Sequence, residues 1–247
     1  QTAWLKAHYP AAFMAAVLSA DMDTTDKIAG FIVECRKMKL DILPPDINHS
    51  SYAFKMTDEH SIRYGLGAIK GIGNAAIALI EKEREDGGLY TSLDDFCNRM
   101  DLRKANKRAM ETLVRSGALD VLDPEHNRAR LLHDLPRCMH AAEQTQRDQE
   151  AGQVDMFGTM QAVASTTMER AESDVKPWPE LQRLQAEKDS LGLYLTGHPV
   201  ESHIKDTRNF TACVLGDVHK RIPKENQNRR GVAMKLAALV TSLRRRT

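Results

Sequence analysis

From Ile69 to Ile77 the chain reads Ile-Lys-Gly-Ile-Gly-Asn-Ala-Ala-Ile, and no other stretch is better suited to hold a ligand. Gly71 and Gly73, with Ile72 between them, permit a tight turn and a surface bare of side chains. An apolar helix follows at once through Asn74, Ala75, Ala76, Ile77, Leu79 and Ile80. Its first amides have no partner within the helix. Together with the turn amides they make a concave set of donors that suits a phosphate oxygen. Lys70 adds a cation beside them. The competing reading is a glycine turn that joins two packed helices and binds nothing.

Other chemistry is hard to find. The four cysteines, Cys35, Cys97, Cys138 and Cys213, contain no C-x-x-C pair, which argues against both a zinc site and a disulfide framework. The nine histidines show no metal-ligand spacing. His198, before Pro199, reads more simply as a loop histidine than as a ligand. No catalytic residue, metal site or cofactor is therefore assigned. At 247 residues, 42% hydrophobic and 28% charged, the chain has room for one large domain or two to three small ones. A formal net charge of +1 gives no global field to attract nucleic acid. Any such contact must come from local clusters: Arg103-Lys104 with Lys107-Arg108, Arg128 with Arg130, and Arg229-Arg230 with Arg244-Arg245-Arg246. No apolar run approaches a membrane span and no signal peptide is present, so a cytoplasmic protein without membrane contact is expected. The first residue is not Met and lies inside a helical pattern, and the last residues follow a strand-like run. Both ends read as cut from a longer protein.

The elements that would position the glycine turn are mainly helical. Trp4 to Ala20 is helical in composition, divided at Pro10. Asp23 or Thr24 caps an amphipathic helix with Ile28, Phe31, Ile32, Cys35 and Met38 on one face. Alternation at Tyr52, Phe54 and Met56, then at Ile62, Tyr64 and Leu66, predicts a β-hairpin leading into the glycine turn. After it, helix Asn74 to Arg84 ends at Gly87-Gly88. Ser92 caps a further helix, with Asp94 and Asp95 in its first turn, where the helix dipole favours acids. Asn106 to Arg115 forms another, closed by Ser116-Gly117. Its lead-in, Leu102 to Arg108, sits where a second hairpin would sit but lacks G-x-G. It is either a degenerate hairpin that uses Arg103, Lys104 and Lys107 or a solvated basic face. Asp123-Pro124 predicts the start of a long helix reaching Glu150, with Pro136 inside it.

A polar helical end then gives way to Gln153-Val154-Asp155-Met156-Phe157, and Thr159 to Lys176 reads as a linker. Met156-Phe157 suits insertion into a partner's apolar pocket. The alternative is that the pair folds back on the chain's own helices. Pro177 to Ser190 reads as a helix, Leu191 to Val200 as a short buried segment ending in a turn, and Val232 to Leu243 as a strand. A lone strand is unstable, which makes this one the start of an all-β unit.

The G-h-G-N-A-A-h spacing resembles the hairpin of the helix-hairpin-helix family. With Ala3-Trp4-Leu5-Lys6-Ala7-His8-Tyr9-Pro10, Leu43-Pro44-Pro45-Asp46, Q-V-D-M-F and Leu191 to Pro199, in that order, the chain resembles the alpha subunits of the bacterial replicative polymerases of the C family, DNA polymerase III. That resemblance covers nearly the whole chain. It implies the end of a fingers domain at residues 1–56, a helix-hairpin-helix region at 57–151, a clamp-binding peptide and linker at 152–176, and a connecting helix with an incomplete OB-fold at 177–247. It implies that Lys70, Gly71, Ile72, Gly73 and Asn74 grip double-stranded DNA by its backbone. Gln153, Val154, Asp155, Met156 and Phe157 match the internal sliding-clamp motif. Other holoenzyme subunits become partners of the parent. The family's catalytic aspartates, which hold magnesium for nucleotidyl transfer, have no match here, so the parent is expected to be an enzyme and this chain to be inactive alone.

Two rivals remain open at this level. One is a helix-hairpin-helix glycosylase that uses Asp94 or Asp95. The other is a non-enzymatic interaction scaffold whose hairpin is structural. The error-prone paralogue of the same polymerase would look similar, and the intact Q-V-D-M-F favours the replicative form.

Overall fold

The computed structural model describes residues 1–101, 105–150, 175–208, 210–211, 213, 215–218 and 233–238. Helices α1 (Thr2–His8) and α2 (Pro10–Ala20) open the chain. Pro10 divides them by taking the first position of α2, where its missing N–H is one that no helix would use. Helix α3 (Thr25–Lys37) starts after Thr24, although no side-chain cap bond forms there. Its buried residues are Ile28, Ile32 and Cys35, spaced as one helical face requires.

The expected hairpin forms from β2 (Lys55–Asp58) and β3 (Ser61–Arg63), with a bulge between Met56 and Asp58. It is shorter than the alternation suggests, because Tyr52, Phe54, Tyr64 and Leu66 flank the strands and do not pair within them. A third strand, β1 (Asp41–Leu43), runs parallel to β3, and the sheet order is β1-β3-β2. Three residues are too few to show a period, so β1 had no sequence signal.

Among the described residues, five further helices follow in the first compact unit, residues 1–196. They are α4 (Asn74–Gly87), α5 (Leu93–Arg99), α6 (Lys107–Ser116), α7 (Arg128–Glu150) and α8 (Glu180–Leu191). The Ser92 hydroxyl accepts the Asp95 amide at 3.1 Å, as its capping position predicts. Helix α6 stops at Gly117, whose φ of 87° is open to glycine at little cost. The start expected for α7 needs correction. Asp123-Pro124 does not begin that helix; Asp123 closes a 3-10 turn (Asp120–Leu122), and its carboxylate accepts the Asn127 amide at 2.8 Å one residue before α7. Pro136 lies inside α7 without ending it, while α5 and α6 pack along that helix. A continuous core runs from Ala11 on α2 to Leu195 after α8.

A buried ionic cluster ties the last helices together. Arg128, at the start of α7, is 4% exposed, and Glu187 on α8 is fully buried. The Arg128 guanidinium grips Asp120 through Nε at 2.8 Å and Nη2 at 2.7 Å, and reaches Glu187 through Nη1 at 3.2 Å. Glu187 also accepts from Arg183 at 3.2 Å, from the Thr196 amide at 3.1 Å and from its hydroxyl at 2.7 Å. Burial pushes the Asp120 carboxyl up, and the Arg128 contact partly opposes that.

Residues 197–247 form a second unit. Its described parts are α9 (Glu201–Arg208), a 3-10 turn (Leu215–Asp217) and residues 233–238. Residues 233–238 carry no strand, where one is expected from Val232 to Leu243; Val232 and residues 239–243 lie outside the described residues. The opening of an OB-fold is therefore not part of the architecture described, which is mainly helical with one small sheet. Among the described residues no helix is long and apolar enough to cross a membrane.

Candidate nucleic-acid interface

The glycine turn lies at the surface of the first unit. Ile69 and Ile72 point inward, 2% and 8% exposed, and anchor the turn. Lys70, Gly71, Gly73, Asn74 and Ala75 between and after them are exposed. Gly71 has a φ of 79°, the left-handed value that a side chain rarely tolerates. Gly73 is the N-cap of α4, with φ −81° and ψ 150°. A Cβ built at either glycine meets nothing within 4 Å, so the space above the turn is open.

That choice of cap matters for the chemistry. A Ser or Asp at the N-cap would use its own oxygen to satisfy the first amides of the helix. Glycine has no such oxygen. Among the described residues, the amides of Gly71, Gly73, Asn74 and Ala75 have no hydrogen-bond acceptor. Four exposed N–H groups at the positive end of a 14-residue helix are what an oxyanion requires.

The α6 lead-in contrasts with this. Asn106 caps α6, and its side-chain oxygen accepts the Ala109 amide at 3.0 Å. Part of that helix's donor capacity is therefore already used. Lys107 stands exposed at the first helical position, 4.0 Å from Glu111 one turn on. A cation there opposes the helix dipole. Arg103 and Lys104 lie outside the described residues, as do Gln153, Val154, Asp155, Met156 and Phe157.

Two basic residues named as contact candidates have structural partners. Arg128 is buried in the cluster above. Arg130 binds Asp123 at 3.1 Å and Glu125 at 2.6 Å. Sequence position alone made them a basic cluster; the acids that neutralise them sit in the 3-10 turn, in the short segment between it and α7, and on α8. The acids of the glycosylase reading are likewise engaged. The Asp95 carboxylate accepts the Thr91 amide at 3.0 Å and lies 3.5 Å from Arg99, and Asp94 lies 3.5 Å from Arg137. Both follow the cap and the dipole. No group of three His, Cys, Asp or Glu residues that could hold a metal occurs among the described residues.

Sequence reasoning missed the support behind the turn. The Lys70 amide donates to the Ser190 carbonyl near the end of α8 at 3.0 Å. Gly192, the left-handed cap of α8 at φ 83°, faces the Thr25 methyl and the Lys70 side chain, and a Cβ there would overlap Thr25. Nothing local in Leu191-Gly192-Leu193 signals that contact, because its partners lie more than a hundred residues away.

Comparison with known proteins agrees with this geometry. A family model described as a helix-hairpin-helix motif matches residues 39–131, from just before β1 to the start of α7. The chain is 44% identical to a DNA polymerase III subunit alpha of Vibrio cholerae over 244 residues, covering 99% of this chain and 20% of that protein. It is 46% identical to the Pseudomonas aeruginosa protein of the same name over 85% of this chain and 19% of that one. For Haemophilus influenzae the identity is 41%, over 99% and 20%. The chain thus spans about one fifth of the length of the curated relatives it matches.

Proposed function

We propose that this chain, which is similar to DNA polymerase III alpha subunits over nearly its whole length, serves as their duplex-gripping and clamp-tethering portion. The observation that carries the first role is the open glycine turn, with its four unpaired amides at the head of α4. Amides bind phosphate oxygens without regard to the base attached, which suits a polymerase that must copy any template. Lys107, with Arg103 and Lys104 in the α6 lead-in, supplies cations for a second stretch of backbone.

The second role rests on the sequence Gln153-Val154-Asp155-Met156-Phe157, which matches the internal clamp motif of this family. A peptide on a short lead raises the local concentration of its partner to about the millimolar range, so a modest contact suffices for processive synthesis. The sliding clamp, double-stranded DNA and the other holoenzyme subunits are the proposed partners. Nucleotidyl transfer, with its magnesium ions, is proposed to belong to parts of the relatives that this chain does not match, so the chain alone should not polymerise.

Duplex binding measured by fluorescence anisotropy, for wild type and Gly73→Ala, tests the first role. Gly73 has ordinary backbone angles and room for a methyl, so the variant should fold. The methyl would stand where the phosphate approaches, and affinity should fall about tenfold, the equivalent of one good hydrogen bond. Affinity should also drop with salt, by about 0.9 in log K per log salt for each phosphate held, and vary little with sequence. A folded variant that binds like wild type removes the hairpin from the interface.

A further inference from the structure

The hairpin does not hold its own position. Its first turn amide, that of Lys70, is bonded to the Ser190 carbonyl on α8, and its lysine side chain packs beside Gly192 at the end of the same helix. Whatever fixes α8 therefore fixes the backbone angle at which Gly71 to Ala75 present their amides.

Glu187 is the residue that does so. It lies three residues before Ser190, with its side chain fully buried. Its carboxylate collects Arg128 from α7, Arg183 from the preceding turn of α8, and both the amide and the hydroxyl of Thr196. A buried carboxylate with two arginines adds little net stability over an apolar residue of equal volume. What such a cluster does supply is a single register, because any slip of the helix leaves a charge unpaired in the interior. Packing of Leu184 and Leu191 alone would allow α8 to slide by a fraction of a turn. The ionic cluster would not.

We propose that Glu187 is a positioning residue for the DNA-gripping hairpin, acting through Ser190 and Gly192 to hold Lys70 and the amides after it at the phosphate. This rests on the hairpin reading above. It assigns to α8 a part in DNA binding although the helix itself need touch no DNA.

The test uses the whole chain. Duplex affinity is measured across a salt series for wild type, Glu187→Gln, Lys70→Gln and the double variant, with hydrogen exchange of the Lys70 and Ile80 amides read on the same samples. In Glu187→Gln the Lys70 amide should lose protection while the buried Ile80 amide keeps it. Affinity should fall about tenfold, the worth of one charge-assisted contact, and the salt slope by about 0.9, one phosphate. Adding Lys70→Gln to it should cost nothing more. Wild-type protection at Lys70 with wild-type affinity in a folded Glu187→Gln overturns the proposal, as do losses that simply add. Arg183→Ala, which strips one partner from Glu187 at its more exposed edge, should give a smaller shift in the same direction. It is decisive if Glu187→Gln does not fold, and unchanged Lys70 exchange in it overturns the proposal. A wild-type chain that binds no duplex at any salt overturns the hairpin reading and this inference with it. That result is distinct from a wild type that binds and a Glu187→Gln variant that binds equally well.

Discussion

Replacing Arg128 by leucine puts the ionic cluster to a direct test. Arg128 is 4% exposed and Glu187 fully buried, while the Asp120 side chain keeps 26% of its surface in water. The substitution leaves Asp120 a route to solvent and leaves Glu187 with Arg183 and Thr196 but without its most buried cation. Breaking one side of a buried pair costs about 3–5 kcal/mol, most of it the uncompensated charge. Against a total stability of about 5–15 kcal/mol for an ordinary domain, that is about a fifth or more. For a unit of this size, 1 kcal/mol moves the melting midpoint by about 2–4 °C, so the expected drop is roughly 6–20 °C. Equilibrium urea unfolding, with a thermal scan beside it, measures both. The double variant Arg128→Met with Glu187→Leu should recover most of the loss, because it removes the fully buried carboxylate and leaves only Asp120 and Arg183, whose side chains keep 26% and 33% of their surface in water. The pH dependence has a definite sign. Burial already raises the Asp120 carboxyl, and losing Arg128 removes the contact that opposes it. A carboxyl raised in the folded state favours folding at low pH and loses that contribution as pH rises through its folded value. The gap between variant and wild type should therefore narrow on acidification. A loss under about 1 kcal/mol for Arg128→Leu, below the range for a buried pair, would refute the reasoning. It would mean that water or a small shift of α8 solvates Glu187.

Other outcomes follow from single sites. The Tyr64 hydroxyl is buried without a hydrogen-bond partner, and its ring packs edge-on against Phe54 at 4.7 Å; Tyr64→Phe should raise stability by about 1 kcal/mol in urea titrations, and a loss of that size would show that the hydroxyl does find a partner. Burial pushes the Cys35 thiol to about 11 and the Cys97 thiol to about 12, and raises that of Cys138 as well. Iodoacetamide on the native chain at pH 8 should therefore spare all three, and mass-spectrometric mapping of rapid adducts there would contradict the described core. Calorimetric titration with a bacterial sliding clamp should show saturable binding that Phe157→Ala abolishes. A folded wild type that fails to bind would remove Gln153 to Phe157 from the proposed function.

Much of the molecule was legible from local pattern. The Gly71-Ile72-Gly73 turn, the Ser92 cap, the Gly117 stop and the division at Pro10 each depend on contacts within four residues, so residue type and spacing determine them. The glycine turn could be read as a phosphate cradle because the role proposed for it needs backbone and open space, which glycine supplies in any context. The order of the short motifs, taken along the whole chain, indicated the polymerase subunits to which the chain is similar over nearly its whole length. What tertiary structure alone decided has partners far apart in sequence. Strand β1 exists because β3 offers it an edge, which three residues could not announce. Arg128 and Arg130 looked like surface cations until Asp120, Asp123, Glu125 and Glu187 closed on them. Ser190 and Gly192 became the footing of the hairpin only when α8 docked against Lys70 and Thr25. A charge reads the same in sequence whether it meets water or a buried counter-charge, and only packing decides which it meets.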